Sequence, residues 1–193
     1  AERGFNLNPT NETLRETVKR LGGNDKNFNE VARTQELVSI GDQYVRSGDC
    51  LAAQAQYRAA FDLNPKQPVA AVKAAKCLYK LNQIFQAFVY LKRAIKHNPE
   101  YFPAYTLLAD YYSQKFDFSS AMGVLNQARA YSTEAYEIYK GYALVELRKN
   151  NFVGALGYIN RVISIYSTDP EAYVIMARAH LGNGQSKEAF QAA

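Results

Sequence analysis

The chain has 193 residues, of which 48% are hydrophobic and 21% are charged, and its formal net charge is +5. This length is sufficient for a substantial core, and the composition is ordinary for a soluble protein. No apolar run approaches the ~18 residues of a membrane-spanning helix, so we expect no direct membrane insertion. The composition leaves the compartment open between the cytoplasm and a bacterial periplasm or cell envelope.

The first 33 residues are predicted to form an N-terminal helical extension. Asn8-Pro9 can start a helix and Gly22-Gly23 can end it. Three apolar residues share one face of this helix: Leu14, Val18 and Leu21. We expect the helix to cap the first unit of the chain that follows it; the alternative is a segment that lies in the chain's own groove or in that of a neighbouring chain. Residues 24–29 are predicted to be a polar connection.

From Thr34 onward, small residues recur with a period of 34. Five alanines mark the period: Ala53, Ala87, Ala121, Ala155 and Ala189. A second set of small residues runs in phase: Gly41, Ala75, Ala109, Ala143 and Ala177. A fixed period of this length indicates a repeat array. The predicted repeats are 34–67, 68–101, 102–135, 136–169 and an incomplete 170–193, so we expect the natural protein to continue beyond Ala193 or another chain to cover this end.

Each repeat is predicted to be two antiparallel helices joined by a tight turn. In the first helix, apolar residues follow at offsets of three and four, as in Leu37, Ile40 and Tyr44, which places them on one face. Asp, Asn and Gly then interrupt the pattern, and a second helix is predicted to start at equivalent positions: Cys50, Ile84, Phe118, Phe152 and Ser186. Small side chains are needed because neighbouring helices must approach closely where they cross.

This pattern resembles the tetratricopeptide repeat (TPR) family. The fullest match is Leu37-x-x-Ile40-Gly41-x-x-Tyr44 followed by Ala53-x-x-x-Tyr57-x-x-Ala60 and Pro65. The fourth repeat departs at Glu146, where a large apolar residue is usual, and we expect Leu147 to replace it. Over about residues 34–193, the resemblance implies an all-α, right-handed superhelical solenoid of five helix-turn-helix repeats. It also implies a scaffold that binds other proteins.

In this family the first helix of each repeat lines a concave groove. The resemblance places these charged residues there: Asp42, Lys73, Lys76, Lys80, Asp110, Lys140, Arg148 and Arg178. One interpretation is a groove that prefers an acidic or carboxylate-bearing peptide; the other is a solvated surface of mixed charge. Nucleic acid is not expected, because the lysines are not interleaved with exposed aromatic residues in a known RNA-binding module.

One specialised role of the family is rejected. TPR co-chaperones grip an acidic chaperone tail with a clamp of Lys, Asn and Arg. The matching positions here are Val38, Asp42, Lys73, Pro103 and Leu107. Only one of these is basic and none is asparagine.

No motif for catalysis, a cofactor or a metal is recognised, so we predict a protein that is not an enzyme. His97 and His180 lack neighbours at metal-ligand spacing. Cys50 and Cys77 lie on helices that should pack together, so a bridge is geometrically conceivable, but two small buried hydrophobes are favoured. Tyr111 and Tyr136 lie off the apolar stripe, and we expect them to be exposed.

Three functional hypotheses follow. The leading one is a non-catalytic scaffold whose groove binds a peptide or helix of a partner protein and assists assembly of a multiprotein complex. The second is a self-assembling structural protein that docks through one end of the array or through the N-terminal extension. The third is the substrate-recruiting arm of a larger enzyme.

Overall fold

The computed structural model describes Glu16 and residues 25–192. The described residues form α-helices and no strands. Residues 25–192 contain ten helices: α1 Asp25–Arg46, α2 Cys50–Leu63, α3 Val69–Lys80, α4 Ile84–His97, α5 Phe102–Gln114, α6 Phe118–Arg129, α7 Tyr136–Arg148, α8 Phe152–Ile165, α9 Pro170–Gly182 and α10 Ser186–Ala192. The predicted helix carrying Leu14, Val18 and Leu21 lies outside the described residues. None of the described helices combines the length and apolarity needed to cross a membrane.

The helix starts follow the 34-residue period. Each second helix of a repeat begins at its predicted residue, from Cys50 in α2 to Ser186 in α10, which confirms those predictions. The prediction of a polar connection over residues 24–29 was wrong, because α1 already begins at Asp25. Asparagine costs less than about 1 kcal/mol in a helix, so the asparagines of this stretch do not prevent a helix from forming.

The turn between the two helices of a repeat has the same backbone conformation each time. One residue per turn has positive φ, at positions 34 apart: Gly48 (83°), Asn82 (58°), Phe116 (59°), Asn150 (59°) and Gly184 (77°). In three turns the next side chain caps the second helix by accepting a backbone hydrogen bond: Asp49, Asp117 and Asn151. A left-handed residue followed by a capping residue therefore makes the tight turn that the period predicted.

Phe116 is the unfavourable member of this set. A residue whose Cβ carries a bulky ring is strained in the left-handed backbone region, at a cost of about 1–2 kcal/mol. Asparagine adopts this backbone conformation more readily. The side chain is 79% exposed, so its removal loses little burial. We expect Phe116→Asn to raise the free energy of unfolding by about 1 kcal/mol in urea melts. The reciprocal Asn150→Phe should lower it, and equal stability of all three proteins would contradict the argument.

The chain divides into two compact parts, residues 1–83 and 84–193. In the first part, α2 packs against both α1 and α3. A small core joins these helices, formed by Ala53, Tyr57, Ala74 and Cys77, with Val38 and Cys50 packed against it. Gly41 is needed here because a Cβ at this position would lie 2.5 Å from the Tyr57 ring.

In the second part, first and second helices of the repeats form two layers. The first helices α5, α7 and α9 contact one another in turn, and the second helices α4, α6 and α8 each pack against the first helix that follows. The period alanines of this part are fully buried or nearly so, from Ala87 to Ala189, whereas Ala177 is half-buried. Leu125 fills the space beside Gly141, where a Cβ would lie 2.6 Å from its side chain.

Two predicted core positions differ in detail. Tyr44 is 37% exposed instead of buried. Glu146 is buried, and Leu147 is buried beside it. The Glu146 carboxylate accepts hydrogen bonds from Lys149 Nζ at 2.8 Å and Asn151 Nδ2 at 2.6 Å. A charged group in an apolar stripe is thus tolerated because its charge and its hydrogen bonds are satisfied locally.

Candidate functional site

A pocket of about 260 Å³ lies on α1 and α3, which are the first helices of the first two repeats. We call it the α1–α3 pocket. It is lined by Asp42, Val45, Tyr57, Lys73, Lys76, Cys77 and Lys80. The structure therefore brings together four of the predicted groove residues, including all three lysines of α3.

Asp42 is the centre of the hydrogen bonds in this pocket. Lys73 Nζ donates to both carboxylate oxygens at 2.6 Å, and the Tyr57 hydroxyl donates to Oδ1 at 2.5 Å. Burial raises the pKa of Asp42, but the hydrogen bonds from Lys73 and Tyr57 and the lysine charge outweigh it and hold the pKa below its usual value. Lys73 also lies 5.7 Å from the centre of the Tyr57 ring. Lys73 is thus neutralised within the protein.

Lys76 and Lys80 have a different environment. Both are exposed, and neither is paired with a carboxylate of the described residues. They are four residues apart on one helix, so their ammonium groups lie on the same face. The α1–α3 pocket consequently presents two uncompensated positive charges beside one internal ion pair. An exposed carboxylate is the complementary ligand group.

Arg148 and Asp110 form an ion pair between α7 and α5. Arg148 donates from Nε at 3.1 Å and from the guanidinium NH2 group at 2.9 Å, both to Asp110 Oδ1. Gln114 donates to the other oxygen at 2.9 Å. The arginine side chain is 41% exposed, so this is a surface pair whose contribution to stability is small. The pair nevertheless neutralises Arg148, which the sequence predicted to be available to a ligand.

Lys140 of α7 is held between two acidic residues at the start of α9. Its Nζ donates to Asp169 Oδ2 at 2.9 Å and to Glu171 Oε2 at 2.8 Å, and lies 5.7 Å from the centre of the Tyr136 ring. Burial lowers the pKa of Lys140, but the hydrogen bonds and charges of the two acids outweigh it and raise the pKa. Lys140 is therefore also neutralised within the protein. Arg178, on α9, is exposed.

Sequence reasoning assigned these cations to a common groove but did not find their acidic partners. Lys73 and Asp42 are 31 residues apart, as are Lys140 and Glu171. This separation is one period less three residues, which joins a first helix to the first helix of the next repeat. Opposite charges at a spacing of 31 would have been the signal for these pairs.

The predicted tyrosines and cysteines are also placed. Tyr111 and Tyr136 are half-buried instead of exposed, because each ring packs against another. The ring centres are 5.4 Å apart for Tyr111 and Phe88, and 5.1 Å apart for Tyr136 and Tyr166. Cys50 and Cys77 are free thiols. They are neighbours in the core, and burial together with Cys50 raises the pKa of Cys77 to about 11. The Cys77 thiol thus behaves as a small buried side chain at neutral pH.

No cluster of three or more His, Cys, Asp or Glu side chains that could hold a metal ion is found in the described part of the chain. His180 contacts Gln185 at 3.0 Å from Nδ1 and is half-buried, as expected for a packing residue.

Known proteins share this fold. The sequence pattern of the tetratricopeptide repeat family matches residues 38–101 and 106–170. A comparison with curated protein sequences finds no match.

Similar solved structures include three representative ones. The thermophilic TPR protein TTC0263 of Thermus thermophilus has a TM-score of 0.71 and 22% identity, over 82% of this chain and 87% of that one. A tetratricopeptide repeat protein of Parabacteroides merdae has a TM-score of 0.64 and 19% identity, over 94% and 69%. PilW, a type IV pilus biogenesis factor, has a TM-score of 0.63 and 18% identity, over 82% and 74%. At these identities the likeness shows the fold alone: an all-α solenoid of helical hairpins. Because the family pattern covers more than half of its residues, the chain belongs to the tetratricopeptide repeat family.

Proposed function

We propose that the chain is a non-catalytic scaffold that binds an acidic peptide or helix of a partner protein on the first helices of its repeats, and so helps to assemble a multiprotein complex. The observation that carries the proposal is the α1–α3 pocket, where Lys76 and Lys80 remain uncompensated while Lys73 is paired with Asp42. Membership of a family of protein-interaction scaffolds supports the same function.

The acidic preference follows from the charges that remain after internal pairing. Lys73, Lys140 and Arg148 are each neutralised by a carboxylate of the protein. Lys76 and Lys80 therefore carry most of the attraction that a ligand on α3 would experience. Ligand carboxylates would approach them from solvent, so we expect the attraction to be screened by salt.

A double replacement tests this assignment. We expect Lys76→Ala/Lys80→Ala to weaken binding of a fluorescein-labelled, glutamate-rich peptide by about tenfold at low salt and to flatten its salt dependence. Fluorescence anisotropy over a salt series measures both quantities. Lys115→Ala/Lys187→Ala is the matched control, because it removes two exposed lysines from elsewhere in the chain. Equal effects of the two double variants would place the acidic peptide elsewhere or show that it responds only to net charge.

Self-assembly remains the second candidate, favoured by exposed apolar side chains on the last two described helices. These are Val174 and Leu181 of α9 and Phe190 of α10. Sedimentation at several protein concentrations separates the candidates. A monomer at all concentrations supports the partner-binding scaffold, whereas a concentration-dependent oligomer that dissociates on Phe190→Lys supports self-assembly.

A further inference from the structure

A second cavity lies on the second helices of the third and fourth repeats, and none of the predicted groove residues lines it. It has a volume of about 590 Å³ and is lined by residues of α6, α7 and α8 and of the α6–α7 connection. The lining residues that matter are Arg129, Tyr139, Gly154, Gly157, Tyr158 and Arg161. We call it the arginine groove.

The two arginines of this groove are exposed and are not paired with any carboxylate of the described residues. Their position contrasts with that of Lys73, Lys140 and Arg148, each of which has an acidic partner. A guanidinium presents its donors in a planar fork that matches a carboxylate. Two such forks facing one cavity form a site for carboxylate groups that the protein itself does not fill.

Fixed aromatic rings line this groove, and one of them supports Arg161. Arg161 lies over the Tyr139 ring, 4.4 Å from its centre, and the Tyr139 hydroxyl donates to the Thr133 carbonyl at 2.6 Å. The Tyr158 ring stacks on Tyr142 at 5.0 Å with an interplanar angle of 22°. The rings are thus held in place before any ligand arrives. Preorganised aromatic and arginine side chains are typical of energetically important positions in protein interfaces.

Gly157 keeps the groove open without a packing reason. A Cβ at Gly154 would collide with the side chain of Asn151, the residue that caps α8, so the cap explains that glycine. At Gly157, by contrast, a Cβ would meet no heavy atom within 4 Å. Glycine is less favourable than alanine in a helix interior, so local helix stability does not favour it at this position of α8. It lines the groove together with the two arginines and the two tyrosines.

We propose that the arginine groove is a second docking site, which binds an extended, carboxylate-rich segment of a partner protein. Aspartate or glutamate side chains of that segment bind Arg129 and Arg161, and its backbone crosses α8 at Gly157. This site uses residues distinct from those of the α1–α3 pocket. A chain with both sites would hold two acidic segments, which is a useful property in a scaffold.

A larger side chain at Gly157 fills the arginine groove and so tests the proposal without changing the charge of the protein. The probe is a fluorescein-labelled glutamate-rich peptide of about ten residues. All variants also carry Lys76→Ala/Lys80→Ala, which removes the free lysines of the α1–α3 pocket. Binding at the arginine groove is thus measured separately from binding at that pocket. We expect Gly157→Leu to weaken binding at least about tenfold. Gly123→Leu is the matched control, since Gly123 is exposed on α6 with no heavy atom near its Cβ position. Leucine favours helix more than glycine does, so both variants should be at least as stable as the parent in urea melts.

Replacing both arginines by lysine tests the recognition chemistry. Arg129→Lys/Arg161→Lys keeps the charge but removes the planar forks, and we expect it to weaken peptide binding by about tenfold. The proposal is overturned if this variant and Gly157→Leu both bind the peptide as the parent does. It is also overturned if inorganic phosphate competes fully while a peptide of about two glutamates binds as well as the longer one, because the site is then one for small anions.

Discussion

Replacement of Ala109 by leucine is expected to lower the free energy of unfolding by about 1–3 kcal/mol. Ala109 is fully buried in α5 and belongs to the core of the second part, with Ala121, Leu125 and Ala143. An added isobutyl group has no space in an interior packed at crystal density, so neighbouring side chains or helices must shift. In a linear array the local damage should appear first in the repeats that contact α5.

The repeat supplies its own control for this experiment. Ala177 lies two periods after Ala109, at the same position of a first helix, but it is half-buried. We expect Ala177→Leu to change the free energy of unfolding by less than about 0.5 kcal/mol. Urea melts of both variants measure the difference. Equal losses from the two substitutions would mean that burial of the small-residue position is not the cause.

The fold was predictable from the sequence because the period carries redundant information. One Cys50 or Ser186 says little about where a helix starts, but the same start recurs in five repeats, and each agreed with the structure. The turn residue with positive φ is predictable for the same reason at Gly48 or Asn82, whereas Phe116 shows that a repeat tolerates one strained member. The residues before Thr34 do not repeat, so no second copy supports a prediction there, and the start of α1 at Asp25 was missed.

The candidate site was less predictable, for a physical reason. Helical spacing places Lys73 and Lys76 on one surface, but their partners are decided by long side chains reaching across to another helix. Lys73 finds Asp42 and Lys76 finds no acid among the described residues, although they are neighbours on α3. Aromatic rings are misjudged similarly: Tyr111 lies off the core stripe, yet its size lets it reach Phe88. Whether such a side chain is paired or buried depends on its contacts with a neighbouring repeat, and not on its position in the period.

Lys140 offers the sharpest test of such a contact. Its side chain is 14% exposed and that of Asp169 is 8% exposed, so this pair is far more buried than Arg148–Asp110. Replacement by methionine keeps the length of the side chain but leaves the Asp169 carboxylate with only backbone donors such as the Glu171 N–H. We expect Lys140→Met to lower the free energy of unfolding by about 1–3 kcal/mol at pH 7. Arg148→Met, which breaks a surface pair, should cost less than about 1 kcal/mol.

The dependence of this loss on pH separates the ion pair from simple packing. Burial raises the pKa of Asp169, but the hydrogen bond and charge of Lys140 outweigh it and hold the folded-state pKa below the ordinary value of 3.8. A lowered pKa stabilises the fold above the unfolded value, and that stabilisation is lost as pH falls through the folded value.

The raised pKa of Lys140 acts at the opposite limit, since its contribution is complete below 10.5 and is lost as pH rises through the folded value. The difference in stability between the parent and Lys140→Met should therefore be constant near neutral pH and shrink below pH 3.8 as Asp169 takes up a proton. Urea melts at pH 7 and about pH 3 measure it, with Arg148→Met as the control at both. A difference that is equally large at acid pH would show that methionine disturbs packing around α7, and that the charge of Lys140 does not stabilise the fold.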